Sequence, residues 1–478
     1  MSPVQESTPE PLGPLPVPAT AGMLRAVLHD SVQYALGGLA YKAVALLSVP
    51  ILARLLVPAD LGMLDLAVVV ALVVAITGAV GLENALARLD AEEPANARLW
   101  GSAGLLLILG VAIVGGAGLT LSAPLAALLL GSSTNAAVIS AGVVYGCVLA
   151  FSTMGLNAVR LQQRPRRYAV YGFLIVAAEM ATALALAAAG ASVPVIILGW
   201  AAASALGAAI LIVREVPRMG RPSTALVRRL TLFGLPLVPA GLVWIVGDLG
   251  VRALIAHQEG LVALGLYGIA GRLTSVIQLM VVGFGLAWHP FLYRANGDQA
   301  RRLGATASVG LIAGLGSLAM ILTALSPEVV GIVAGPGYEN AVMVVAGLSA
   351  AMVLFGVITA ATAVLGVRYA VRSVALASAG GAVIQVLLAA IVVPPLGLAG
   401  AGVAVAVGYG ITAALLVWRA GLLSIPMTVV TLAAALGLII TAVTVQAAFP
   451  IRLASLTLGM LAAGGAWSLV RGRGREPE

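Results

Sequence analysis

The sequence predicts an all-α polytopic membrane protein with about 14 transmembrane helices, arranged as two six-helix lobes in parallel pseudo-repeat plus two extra C-terminal helices. Three observations predict it. Hydrophobic residues make up 61% of the 478 positions and charged residues only 9%, against about 25% charged in a typical soluble domain. Apolar stretches long enough to cross a bilayer, which takes about 20 residues, recur along the whole chain. The basic residues gather in alternate connections between these stretches, as the positive-inside rule requires.

Residues 1–22 (MSPVQESTPEPLGPLPVPATAG) are rich in Pro and polar groups and too poor in apolar side chains to pack, so they read as a disordered cytoplasmic tail. They lack the charged start, short apolar run and small-residue cleavage site of a signal peptide, so the first span is expected to be retained. Spans follow at about 32–54, 62–87, 99–121, 136–159, 168–190, 193–213, 233–256, 263–291, 304–325, 339–366, 373–393, 397–418, 427–448 and 453–470. The stretch 122–135 (SAPLAALLLGSSTN) reads as a hairpin loop with a re-entrant apolar patch.

With the N-terminus in the cytoplasm, even-numbered spans exit inwards. Every basic residue except Lys42, Arg54, Arg252, Arg272 and Arg452 then falls on the inner side. This gives an N-lobe over 23–213 (spans 1–6), a basic cytoplasmic linker at 214–232 and a C-lobe over 233–420 (spans 7–12). Spans 13–14 occupy 421–470, and a basic cytoplasmic tail covers 471–478. Both termini are expected in the cytoplasm.

The connections are short, which leaves no room for an inserted catalytic domain. No HExxH, Walker A or GxSxG sequence is present. A transporter is therefore expected and not an enzyme, with no catalytic residue, no metal site and no cofactor. The net charge of +8 lies between spans, so it reads as topology and not as a nucleic-acid surface. The single cysteine, Cys147, sits in an apolar segment and reads as a small packing residue.

Glycines inside spans, Gly142 with Gly146, Gly310 with Gly314, and Gly397, Gly400 and Gly402, let helices approach closely. Pro50, Pro236, Pro239 and Pro290 mark spans 1, 7 and 8 for bending. The same spans, with span 2, hold most of the charges at membrane depth, where a charge costs about 2.5–3.5 kcal/mol and faces a bundle interior or a wet cavity. Lys42, Arg272 and Glu179 lie near mid-depth. Arg54, Asp65, Asp248 and Arg252 lie towards the outer ends of their spans, and Glu83 towards the inner end of span 2. Spans 1–2 and 7–8 thus open two halves of the same orientation with charged helix pairs, the pattern of a parallel-repeat transporter with a central cavity. Lys42 and Arg272 have no opposite charge one turn away and read as cavity residues, with Arg54 and Arg252 as further headgroup candidates. Asp248 and Arg252, four residues apart, also read as a structural pair on one helix face. Arg54 with Asp65 reads as a clasp between spans 1 and 2, and Glu83 as a side chain reaching the inner surface. Asp65, Glu83, Glu179 and Asp248 are the ion-pair or ion-coupling candidates, with H⁺ or Na⁺ as the coupling ion.

LTLFGLPLVPAGLVWIVGDLGVRALIA followed by LGLYGIAGRLTSVIQLMVVGFGLAWHPFLYR resembles the middle of Wzx-type polysaccharide-unit flippases, of the multidrug/oligosaccharidyl-lipid/polysaccharide exporter superfamily. SVQYALGGLAYKAVALLSVPILARLLVPADLGMLDLA resembles that family's first two helices, and RLQQRPRRYAVYG its loop between helices 4 and 5. The resemblance spans roughly 30–420. One departure is visible: the family often has Asp and Arg adjacent in helix 7, whereas GDLGVR sets Asp248 and Arg252 a turn apart. The resemblance implies alternating-access transport of an undecaprenyl-diphosphate-linked oligosaccharide, the repeat unit of a surface polysaccharide, across the bacterial cytoplasmic membrane. It implies a monomer in contact with membrane lipids and, as partners, a polysaccharide polymerase and glycosyltransferases. The alternatives are a peptidoglycan-precursor lipid flippase, a drug or small-molecule exporter of the same superfamily, or, from another class, a membrane enzyme of polysaccharide assembly.

Overall fold

Hydrocarbon offers no partner to a backbone N–H or C=O, so a chain this apolar must close its hydrogen bonds within helices. The computed structural model describes residues 50–92, 96–292, 297–367 and 370–473, and every regular element among them is helical. Helix α1 is described over 50–55. There follow α2 (Pro58–Gly78), α3 (Leu82–Glu92), α4 (Ala97–Thr120), α5 (Ser122–Leu130), α6 (Ala136–Leu161), α7 (Pro165–Ala188), α8 (Val193–Arg214) and α9 (Thr224–Gly234). The chain continues with α10 (Val238–Gln258), α11 (Gly260–Leu292), α12 (Gly297–Ala324), α13 (Ser326–Val333), α14 (Val342–Val367), α15 (Val371–Ala420), α16 (Ile425–Val443) and α17 (Phe449–Arg473).

Among the described residues, 10 helical stretches are long and apolar enough to cross a membrane. The protein is a polytopic all-α membrane protein. The longest stretch, Arg372–Ala420, takes in the two spans expected at 373–393 and 397–418. It bends sharply at Gly397, whose φ of 56° and ψ of −140° lie outside the helical region. Shorter apolar helices, Met427–Val443 and Phe449–Ala462, stand where spans 13 and 14 are expected. Expected spans 2 to 14 thus each coincide with a helix. The tail 1–22 and most of span 1, Lys42 included, lie outside the described residues.

Local chemistry sets the ends. Pro58, Pro165 and Pro426 sit in first helical turns, where a missing N–H costs nothing. The Asn96 side chain caps α4 by accepting from the Arg98 and Leu99 backbone N–H groups at 2.9 and 3.3 Å.

The structure differs from expectation in three places. The stretch 122–135 is not a hairpin loop: it forms α5 and a 3-10 turn, Ser133–Asn135. Its apolar run buries Ala126, Leu129 and Leu130, Gly131 ends it in the left-handed region at φ 73°, and His257 of α10 bonds the Leu128 carbonyl at 2.7 Å. Span 2 is broken between α2 and α3 by the positive φ angles of Val80 and Gly81. There the backbone meets the start of span 7 so closely that a Cβ on Gly81 would lie 2.1 Å from the Gly234 carbonyl oxygen. The stretch 214–232 holds a helix, α9, in place of a plain linker.

Helix α2 occupies the centre. It packs against α4, α6 and α8, and also against α10 and α11. Helices α11, α12 and α15 surround α14, while α16 lies on α12 and α17. The largest buried cluster accordingly draws Leu64 and Ala67 from α2, Ile139 from α6, Val251 from α10, Leu264 from α11 and Val345 from α14. Small residues make the crossings close. A Cβ on Gly146 would lie 2.5 Å from the Ala71 oxygen, and one on Gly265 only 1.9 Å from the Pro58 oxygen. Gly314, by contrast, faces open space and makes no such crossing. Beyond the spans, Arg452 of α17 is buried and bonds the Ala324 carbonyl at 3.0 Å and Glu328 of α13 at 2.8 Å. That bond holds the Glu328 carboxyl below the usual glutamate value of 4.5.

Gly265→Ala should push a methyl group into backbone and cost about 1–3 kcal/mol, read as a lower thermal midpoint of the purified protein. Gly314→Ala should leave the midpoint unchanged or raise it. A depressed carboxyl pKa adds stability above its unfolded value and loses it as pH falls through the folded one. Acidification below the usual glutamate range should therefore loosen the α13–α17 contact, and Arg452→Ala should remove that acid-dependent step from melts taken across pH.

Candidate functional site

A charged group inside an apolar bundle needs an opposite charge or water, because taking it out of water alone costs more than packing returns. Four such groups meet in one place. Asp65 lies two turns into α2, Asp248 and Arg252 lie one turn apart on α10, and Arg272 lies on α11. Arg252 donates from Nε to Asp248 at 2.7 Å and from a terminal nitrogen to Asp65. Arg272 Nη2 donates to the other oxygen of Asp65 at 3.2 Å. One carboxylate on α2 therefore serves guanidinium groups on two other helices. The Tyr267 hydroxyl donates to Asp248 at 3.1 Å, and its ring lies 5.0 Å under the Arg252 guanidinium carbon. Gly268 makes the room: a Cβ there would stand 2.9 Å from an Asp65 oxygen.

These residues line a cavity of about 350 Å³ walled by α2, α10, α11, α14 and α15, near the low end of the about 300–1,000 Å³ of ligand pockets. Its charges are unevenly satisfied. Arg252 is buried and engages two carboxylates. Arg272 has a single carboxylate partner, and its Nη1 is buried with no hydrogen-bond partner among the described residues. Gly271, one residue before it, faces open space. The arrangement is a guanidinium group that lines a partly open cavity with donor capacity to spare.

The expected site residues divide as follows. Arg252, Arg272, Asp65 and Asp248 come together, and the i, i+4 pairing of Asp248 with Arg252 is present. The two aspartates make the described part of the cavity neutral where a cationic one was expected. Arg54 stands apart, exposed, and donates to the Ile332 carbonyl at 2.8 Å; it does not clasp Asp65. Glu83 pairs with Arg160 at 3.0 Å near the ends of α3 and α6. Glu179 is buried between α6 and α7 and accepts from the Tyr145 hydroxyl at 3.2 Å. Lys42 lies outside the described residues. Sequence reasoning missed Trp244, Tyr409 and Gln385, which also line the cavity. Gln385 carried a signal, as the only amide within the apolar stretch 373–393. The aromatic residues carried none, because ring partners 165 positions apart (409 − 244) meet only in the fold.

The family described as polysaccharide biosynthesis protein matches residues 27–295, more than half of the chain. The chain belongs to the polysaccharide biosynthesis protein family. The matched segment includes Asp65, Asp248, Arg252 and Arg272 and stops short of Gln385 and Tyr409. Among solved structures, the chain is similar to the lipid II flippase MurJ in an inward closed conformation, at 11% identity and a TM-score of 0.72, over 92% of this chain and 98% of that one. It is also similar to an outward-facing multidrug resistance MATE family transporter of the MOP superfamily, at 16% identity and a TM-score of 0.56, over 83% and 94%. A third, MATE in complex with MaL6, aligns at 16% identity and a TM-score of 0.57, over 83% and 95%. At such identities the likeness establishes the fold. No curated protein matches the sequence.

Asp65→Ala should leave Arg272 without a carboxylate and Arg252 with one, costing about 3–5 kcal/mol. Asp248→Ala should cost less, since Asp248 is 36% exposed against 14% for Asp65. Thermal unfolding of both variants in detergent checks the order, which reverses if Asp248 is the principal anchor.

Proposed function

We propose that the protein moves an undecaprenyl-diphosphate-linked oligosaccharide, the repeat unit of a surface polysaccharide, from the inner to the outer leaflet of a bacterial cytoplasmic membrane. The observation that carries this reading is the Arg272 guanidinium, which lines the cavity and is held by Asp65 through one nitrogen while a second stays buried and unpartnered. A diphosphate offers the oxygens that such a group lacks. The family match supports a role in polysaccharide biosynthesis, and the MurJ-like and MATE-like fold supports transport. Both aspartates of this cavity are engaged by arginine, which leaves neither free for a cationic substrate.

In this reading the helices α1–α8 and α10–α15 act as lobes that rock about the cavity, and the arginine-rich loops and both termini face the cytoplasm. Asp65 is the exchange point: when phosphate oxygens take up Arg272, Arg252 keeps Asp65 from being left alone. Glu179, buried and without a cation partner among the described residues, is the proposed proton or sodium site that couples transport. Lys42 would add a second cation from span 1. A polymerase and glycosyltransferases are the proposed partners, working around a monomer. A second reading, transport of a peptidoglycan precursor, draws on the likeness to a lipid II flippase. Depletion of the protein separates the two by which glycan is lost.

Arg272→Ala should abolish surface-polysaccharide export while the protein remains in the membrane at normal level, Arg272→Lys should export poorly, and Arg54→Ala should export normally. Normal export by Arg272→Ala overturns the reading.

A further inference from the structure

The cavity also has lining residues that phosphate chemistry does not use. Trp244 lies one turn before Asp248 on α10, about 6 Å along the axis. Its ring stacks on Tyr409 of α15 with centroids 4.1 Å apart and planes at 30°. Phe355 of α14 meets Tyr409 edge-on at 6.3 Å, which fixes the plane of the pair from behind. Both Trp244 and Tyr409 line the cavity, and neither the indole N–H nor the phenol hydroxyl has a hydrogen-bond partner among the described residues. Beside them Gln385 is only 1% exposed, makes no hydrogen bond among the described residues, and has its Oε1 buried and unpartnered. It fits between Gly247 of α10 and Gly408 of α15, where a Cβ on either glycine would come within 2.6 Å of its side chain.

A buried amide that bonds to nothing is a cost to folding. Two glycines are spent on accommodating it. Gln385 stands among the residues that line the cavity. The combination is selective. A bare anion has no use for two stacked rings, and a lipid tail has no use for an amide, an indole N–H and a phenol. A pyranose uses both. Its axial C–H groups form an apolar, electropositive face that lies on the negative face of an aromatic ring. Its hydroxyl or acetamido groups need the donor and acceptor that Gln385 holds ready.

We infer that Trp244, Tyr409 and Gln385 form a sugar subsite that receives the first pyranose of the transported headgroup, beside the diphosphate position at Arg272. The inference deepens the reading under Proposed function and rests on it. It assigns recognition of the sugar to α10 and α15 and recognition of the phosphates to α11. The carrier lipid is then selected by what it is loaded with, so that unloaded lipid is not moved.

The test uses the purified full chain in nanodiscs and three probes: undecaprenyl diphosphate, and the same lipid bearing one glucose or one N-acetylglucosamine. The wild-type protein should bind at least one glycosylated lipid about tenfold more tightly than the bare one. Trp244→Ala should bring that ratio close to one, and Trp244→Phe should keep most of it. Gln385→Leu should reduce the ratio while leaving the thermal midpoint unchanged or raised, because it removes an unsatisfied amide. Equal wild-type affinity for all three lipids, a Trp244→Ala variant that weakens all of them alike, or a Gln385→Leu variant that melts earlier with its ratio intact overturns the subsite. Arg272→Ala reports separately: it should weaken all three lipids. If bare-lipid binding survives it unchanged, the phosphate assignment fails while the ratio still judges the sugar subsite.

Discussion

One carboxylate shared by two guanidinium groups holds the centre of this protein. Asp65 on α2 accepts from Arg252 on α10 and from Arg272 on α11, so the helix that packs with α4, α6 and α8 is tied electrostatically to those that pack with α14 and α15. In a low-dielectric interior such a bond is strong and its loss severe. In the proposed function it is also the point of exchange. There, an anion that takes Asp65's place on Arg272 leaves Asp65 paired with Arg252.

Much of the fold was legible in hydropathy, because in hydrocarbon the backbone has no alternative to the helix and apolar length alone marks a span. The breaks were not. Span 2 divides at Val80 and Gly81, where backbone meets backbone at Gly234, and no local pattern announces a contact 153 residues away (234 − 81). The apolar run at 122–135 is too short to span and so reads as a hairpin loop with a re-entrant patch, yet a helix that need not cross the membrane can still bury Leu129 and Leu130.

The site was half legible for a similar reason. Asp248 and Arg252 sit one helical turn apart, and their pairing follows from spacing. Arg272 was singled out because nothing on its own helix neutralises it, and its partner proved to be Asp65, 207 residues away. Arg54 shows the converse. A charge near a span end has a backbone carbonyl within reach, and Arg54 takes that of Ile332. Gln385 and the stacked pair of Trp244 and Tyr409 gain meaning only when three helices place them on one wall.

The close approach of Gly81 to Gly234 has its own consequence. The surrounding links between this end of span 2 and α9 are half-exposed: Arg229 with Glu92 at 2.8 Å, and Arg88 over the Phe233 ring at 5.4 Å. Exposed charge pairs contribute little and are screened by salt, whereas two backbones in contact are held by shape. The contact at this end is therefore steric in origin, set by the absence of side chains at two positions and not by the ionic strength of the medium that bathes it.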